Sequence, residues 1–437
     1  LSRDAKSLPQ LNHKICARIL LLSMLTALPI KSLLTPGYIG HSHVFSIGTR
    51  GAYIKHNLGI TKRSEKFNSA QHENKDDEIK IPIPLWLIEH LIGIDIPSNE
   101  DFITYLATLR TSLGLPYLSL NRVETALHVV LSRYTPNSHS HIADIICRTP
   151  APHAPAIYYS SHSSEVLITH YKSALSVLNR MDSFDVSYIT PWYKRTVGSG
   201  FALTPEYVRE VIAKLKNWVN DSPDADVHFN RTSVFVWFVF CLLTGVRPNN
   251  GIGKTSDIDF ELGWLIINDK PSKKVKNHRL VPLCLTLLKY LNDYKNYLIN
   301  YQLNNPLKHE ISISIDEIRL GDDIALLRLL SDSLYTLKTI KRGDAYHMTK
   351  GILDANPYWT RHFVRTQLEK NGVDLALINT IIGHEKARQE GLGRFSSLSK
   401  AKIKSVGEAF EYIARMLELD DIHNNGLQHY TEVNHAH

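Results

Sequence analysis

Val234-Phe235-Val236-Trp237-Phe238-Val239-Phe240-Cys241-Leu242-Leu243-Thr244-Gly245-Val246-Arg247 is continuously apolar up to Leu243 and breaks at Thr244-Gly245. A segment apolar on every side belongs inside a core, and a glycine just past its end supplies the stop that helices favour. The stretch therefore predicts a buried helix that delivers Arg247 just beyond it. Downstream, Trp264-Leu265-Ile266-Ile267 and Arg279-Leu280-Val281-Pro282-Leu283 read as strands around a loop holding Lys270, Lys273, Lys274 and Lys276, a hairpin with a basic tip. Helices resume near Leu285. The stretch from Leu303 to Lys350 is long and mixed, and no function attaches to it. Tyr358 to Lys370 and Asp374 to Ile382 read as helices ended by Gly372 and Gly383, and a last helix carries the stripe Ile403, Val406, Phe410, Ile413 and Leu417. That stripe wants a partner surface.

Upstream, Gly198-Ser199-Gly200 precedes Thr204-Pro205-Glu206, where threonine can cap a helix and proline fill its first turn. Val208, Val211, Ile212, Leu215 and Val219 then share one face. A domain boundary is placed near residue 200, giving residues 1–200 as a helical region, 201–422 as a second domain and 423–437 as a flexible tail. In the first region Leu85 to Ile94, Asp101 to Leu113, Leu120 to Ser132 and Ser164 to Arg180 have helix-like spacing. Polar Lys62 to Lys80 reads as a mobile loop. The expected fold is mainly α with a small β-sheet.

The chain has 437 residues, enough for two to three domains with their own cores. Its four cysteines, Cys16, Cys147, Cys241 and Cys284, have no paired spacing, which fits a reducing, cytoplasmic compartment and no disulfide, zinc or redox motif. A formal net charge of +7 favours polyanionic partners without requiring them. Ile19 to Ile30 is apolar for about a dozen residues, short of the roughly 18 to 20 that span a bilayer, so a buried helix is expected and no membrane partner. The chain opens at Leu1 instead of methionine, as a truncated or processed chain does. The histidines, His139, His141, His153, His162 and His170 among them, match no known metal-ligand spacing and read as solvated loop residues.

The ordered set of buried helix, Arg247, Asp257 and Asp259, lysine-tipped hairpin with Arg-Leu-Val-Pro-Leu, Arg361-His362 and Ile382-Gly383-His384 resembles the tyrosine recombinases, the phage-integrase-like DNA strand exchangers. The resemblance covers residues 202 to 420. It implies a helical DNA-clamping domain followed by a mainly helical catalytic domain, double-stranded DNA as partner, no metal and no cofactor. It also implies a homo-tetramer on two DNA sites, with the C-terminal helix docked on a neighbour, and work at the nucleoid.

The family's chemistry assigns roles by match. Arg247 and Arg361 bind the anionic phosphodiester, whose non-bridging oxygens suit planar guanidinium forks. A hairpin lysine protonates the leaving 5′ oxygen as general acid; Lys270 matches best, with Lys273 and Lys274 open. His384 donates a hydrogen bond to the phosphate, and His362 supports the structure. Tyr358 stands where the family usually has histidine, and a phenol is a poor base at neutral pH, so its role is positional. Asn250 replaces a frequent acid. His362-Phe363-Val364-Arg365 offers a second register for the second arginine, which the match to Arg361-His362 outweighs.

In Gly393-Arg394-Phe395-Ser396-Ser397-Leu398-Ser399 the family's nucleophilic tyrosine is Phe395. Tyrosine there attacks phosphorus to form a 3′-phosphotyrosine; phenylalanine keeps the ring and loses the nucleophile. Either the residue has been substituted or the protein is a non-cleaving relative, and the retained arginines, lysine loop and His384 favour the first. Rival readings are a telomere resolvase, a type IB topoisomerase and a DNA-binding regulator on the same scaffold. The target sequence, the direction of recombination and any accessory protein are not encoded in these motifs.

Overall fold

The computed structural model describes residues 11–34, 45–48, 51–57, 78–89, 91, 97–135, 140–147, 161–178, 196–199, 201–249, 253–267, 279–305, 309–331, 336–353, 355–383 and 399–420. Among them the chain is mostly helical with small antiparallel sheets. Residues up to Ser199 form one compact unit and those from Phe201 another. The expected tail 423–437 lies outside the described residues.

The first unit is built on α1 (Leu11–Thr26), with α2 (Ile30–Leu33), strands β1 (Phe45–Gly48), β2 (Gly51–Asn57) and β3 (Glu78–Ile83), then α3 (Leu85–Glu89), α4 (Asn99–Leu113), α5 (Leu120–Arg133) and α6 (Ser140–Ile146). Strand β4 (Ser161–Ser163), α7 (Ser164–Leu178) and β5 (Thr196–Gly198) complete it, β4 pairing antiparallel with β5. Helix α1 is apolar nearly all round and is buried accordingly, from Ile15 to Leu25. Tyr171 of α7 donates to the Leu25 carbonyl at 3.0 Å, satisfying one of its last orphan acceptors. The run Ile19 to Ile30 is thus a buried helix and a turn into α2, and among the described residues no helix is long and apolar enough to cross a membrane.

Three expectations need correction in this unit. A three-stranded antiparallel sheet, ordered β1-β2-β3, stands in a region read as helix and loop. Glu78-Ile79-Lys80-Ile81-Pro82-Ile83 alternates with period two, so residues 78–80 are strand and not the end of a loop; Pro82 is tolerated because β3 is an edge. Residues 62–77 lie outside the described residues. Helix α3 stops at Glu89, short of Ile94. His162 is not solvated: it lies on β4 at 6% exposure, and His170 sits half-buried on α7.

The second unit begins with α8 (Pro205–Asn220), where Thr204 Oγ1 accepts from the Tyr207 N–H at 3.3 Å and Pro205 opens the first turn. Helix α9 (Ala225–Leu242) is buried along almost its whole length. A short 3₁₀ turn (Thr255–Asp257) leads into β6 (Ile258–Asp259), β7 (Trp264–Ile267) and β8 (Arg279–Pro282), an antiparallel sheet in that order. Then follow α10 (Leu285–Asn304), α11 (His309–Leu320), the hairpin β9 (Arg328–Leu330) and β10 (Leu337–Thr339), α12 (Arg342–Met348), α13 (Trp359–Lys370), α14 (Leu375–Ile382) and α15 (Lys400–Met416). Helices α9 and α10 share a seam of hydroxyls: Ser233 Oγ lies 2.7 Å from Tyr294 Oη, His228 Nδ1 2.9 Å from Tyr297 Oη, and Tyr301 Oη donates to Asp226 at 2.6 Å. Polar atoms buried between helices are satisfied there by one another.

The last helix packs on its own unit. In α15, Ile403, Phe410 and Ile413 are fully buried and Val406 almost so, as is Leu417 at its C-cap, all within the core of their own unit. The Glu411 carboxylate accepts from the Thr286 N–H at 3.1 Å and its hydroxyl at 2.6 Å, pinning α15 to the start of α10.

Candidate functional site

Four segments far apart in sequence meet around two buried arginines. The first is the turn after α9. Gly245 has φ +63°, and a Cβ there would stand 3.1 Å from Val364 Cγ1, so the position needs glycine for conformation and for space. Thr244 Oγ1 donates back to the Phe240 carbonyl at 2.5 Å, and the turn then leads to Arg247, 9% exposed, and Asn249, whose N–H donates to the Arg247 carbonyl at 2.7 Å.

The second segment is α13. Arg361 is fully buried; its Nη1 donates to the Gly245 carbonyl at 2.8 Å and its Nη2 to the Ile382 carbonyl. One guanidinium thus ties the Arg247 turn to the end of α14. The third segment is β8, where Arg279 Nη1 donates to the Ile381 carbonyl. The fourth is the end of α14, where Gly383 has φ +72° and a Cβ would stand 2.9 Å from Arg279 Nε. Two guanidiniums therefore satisfy the orphan carbonyls at the negative end of α14, an arrangement favoured by hydrogen bonding and by the helix dipole together.

Tyr358 occupies the N-cap of α13. Its Oη donates to Asn249 Oδ1 at 3.3 Å, and the Arg342 guanidinium lies over its ring, 5.0 Å from the centroid. His362 is buried against Phe201, the ring centroids 5.3 Å apart, which fits a supporting role. Arg365, the other register, is fully buried and engaged on its own face, with Nε 3.0 Å from Glu369 Oε1 and Nη1 donating to Asn379 Oδ1 at 3.0 Å. Asp259 is a turn-former, its Oδ1 accepting from the N–H groups of Glu261 and Leu262 at 3.1 and 2.8 Å.

Of the sequence-derived site residues, Arg247, Tyr358 and Arg361 are thus brought together. Lys270, with Lys273 and Lys274, His384 and Phe395 lie outside the described residues, as does Asn250. The roots of the lysine hairpin are described, with Ile267 paired to Arg279, and so is Gly383, which leads into His384. Arg361 differs from its expected posture: both terminal nitrogens serve protein carbonyls, because an αL turn and a helix end leave acceptors here that need donors. Arg279 and Asn249 were missed as site residues. The signal for Arg279 was its parity with Val281, which puts it on the buried side of the strand.

Among the described residues no cluster of histidine, cysteine, aspartate or glutamate could hold a metal ion. No family model matches the chain, and no curated protein does.

Proposed function

We propose that this chain is a DNA strand transferase of the tyrosine-recombinase type, a site-specific integrase or recombinase for double-stranded DNA, cleavage-deficient with Phe395 in place. One observation carries the reading: residues 245–249, 279, 358–361 and 381–383, whose order along the chain suggested the family, are joined around Arg361 and Arg279. Arg247 takes the non-bridging oxygens of the phosphodiester; Arg361 holds the frame and adds fixed positive charge behind it. Tyr358 steadies the Arg247 turn through Asn249. A hairpin lysine, Lys270 by the family match, gives its proton to the 5′ oxygen, and His384 donates to the phosphate.

With tyrosine at 395, the phenolic oxygen attacks phosphorus, the bond to the 5′ oxygen breaks and a 3′-phosphotyrosine keeps the bond energy; the partner strand's 5′ hydroxyl reverses the step. This scheme needs neither metal nor nucleotide. Assembly into a homo-tetramer requires α15 to exchange its packing within the unit for the same packing on a neighbour, a domain swap. Affinity comes chiefly from phosphate contacts and falls steeply with salt. The place of action is the nucleoid.

Phe395 itself favours a second reading, a DNA-binding regulator that never cleaves. The two separate on a nicked duplex bearing the cognate site. Phe395→Tyr is expected to give a covalent protein–DNA adduct on a denaturing gel, absent from the phenylalanine form. Tight binding without an adduct favours the regulator.

A further inference from the structure

Beside Tyr358 stands a cation from the stretch to which the sequence attaches no function. Arg342 is exposed, at the first position of α12, and its guanidinium lies over the Tyr358 ring, 5.0 Å from the centroid. Among the described residues that guanidinium has no hydrogen-bond or ion-pair partner. Around it, residues 337–350 carry Lys338, Lys341 and Lys350 as further cations, against a single acid, Asp344. That acid is already engaged, accepting from the Lys341 N–H at 2.9 Å and lying 4.0 Å from Lys338 Nζ. The stretch as a whole carries an excess of positive charge.

The position of Arg342 gives this charge a direction. Its platform, Tyr358, donates to Asn249, which donates in turn to the carbonyl of Arg247. Arg342 is therefore the outermost member of a continuous chain that begins at the candidate phosphate-binding arginine. A guanidinium held over an aromatic face by cation–π attraction keeps its five N–H donors for an anion.

We propose that Arg342 is a positioning residue that grips a neighbouring phosphate of the same DNA backbone, with the Tyr358 ring as its platform, so that the strand is held in register on the Arg247 site. The inference rests on the DNA reading above. Its test uses the full chain and a fluorescently labelled duplex of random sequence, titrated across a series of salt concentrations. Arg342→Ala is expected to weaken binding about three- to tenfold near physiological salt and to make the log–log salt slope shallower by about one ion. Arg342→Lys keeps the slope, because it keeps the charge. Tyr358→Leu weakens binding by at least as much, since it removes both the platform and the hydroxyl that holds Asn249, and adding Arg342→Ala to it costs little more, because the fork has already lost its platform. The exposed Arg342 variants should melt with the parent, which separates the effect from misfolding. An unchanged salt slope in Arg342→Ala, with salt-dependent binding by the parent, overturns this inference alone. A parent chain that binds no duplex in a salt-dependent way overturns the DNA reading and this inference with it.

Discussion

Gly383 shows how much a single residue carries. It sits at φ +72°, where an L side chain costs about 1–2 kcal/mol, and its missing Cβ leaves room for Arg279, whose Nε would be 2.9 Å away. Gly383→Ala should therefore lose the conformational term and also disturb the Arg279 bond to the Ile381 carbonyl, about 2–3 kcal/mol in all by urea titration. Gly372 has the same φ of +72° with nothing within 4 Å, so Gly372→Ala should lose the conformational part alone. Equal losses at the two glycines would refute the packing argument. Both glycines were legible as helix stops, because that signal is local. The arginine behind Gly383 was not, because it arrives through strand register and tertiary packing, which a one-dimensional pattern does not contain. Arg361 was legible as an important residue, but its hydrogen bonds to carbonyls were not.

At the scale of elements, hydrophobic periodicity found most helices of the second unit and both strands of the lysine hairpin, and it named the buried face of α8 and of α15. It did not say what would cover α15. An apolar stripe looks the same whether its own unit or a neighbour buries it, and here Phe410 is fully buried in its own unit. Phe410→Ala should cost about 3–5 kcal/mol, with a melting temperature of the parent that does not depend on protein concentration. A melting temperature that rises with concentration would mean that the helix is buried between chains. The sheet of the first unit escaped because its strands are short and set among polar residues, where six alternating positions weigh little against loop-like composition.

The whole molecule keeps several weak acids in its cores. Burial pushes the thiols of Cys16 and Cys284 from 9.0 up to about 12, raises Cys241 well above its ordinary value, and lifts the Tyr294 phenol from 10.0 to about 12. None of the four cysteines is in a disulfide. Each raised group keeps its proton in the folded chain through a range where the unfolded chain releases it. Stability should therefore hold below about pH 9 and fall as pH rises toward 12, because the unfolded state then binds fewer protons. Urea midpoints across that range measure the slope, and a flat profile would contradict the burial of these groups. The division near residue 200 was approached in the sequence through Gly198-Ser199-Gly200 and the capping threonine that follows. Finally, the pairing of Ile267 with Arg279 brings the two ends of segment 268–278 side by side. Lengthening such a loop costs only about 0.6 kcal/mol per doubling. A reporter peptide spliced between Ile267 and Arg279 is therefore expected to leave the hold on Ile381 intact, because the sheet fixes both ends of the insertion.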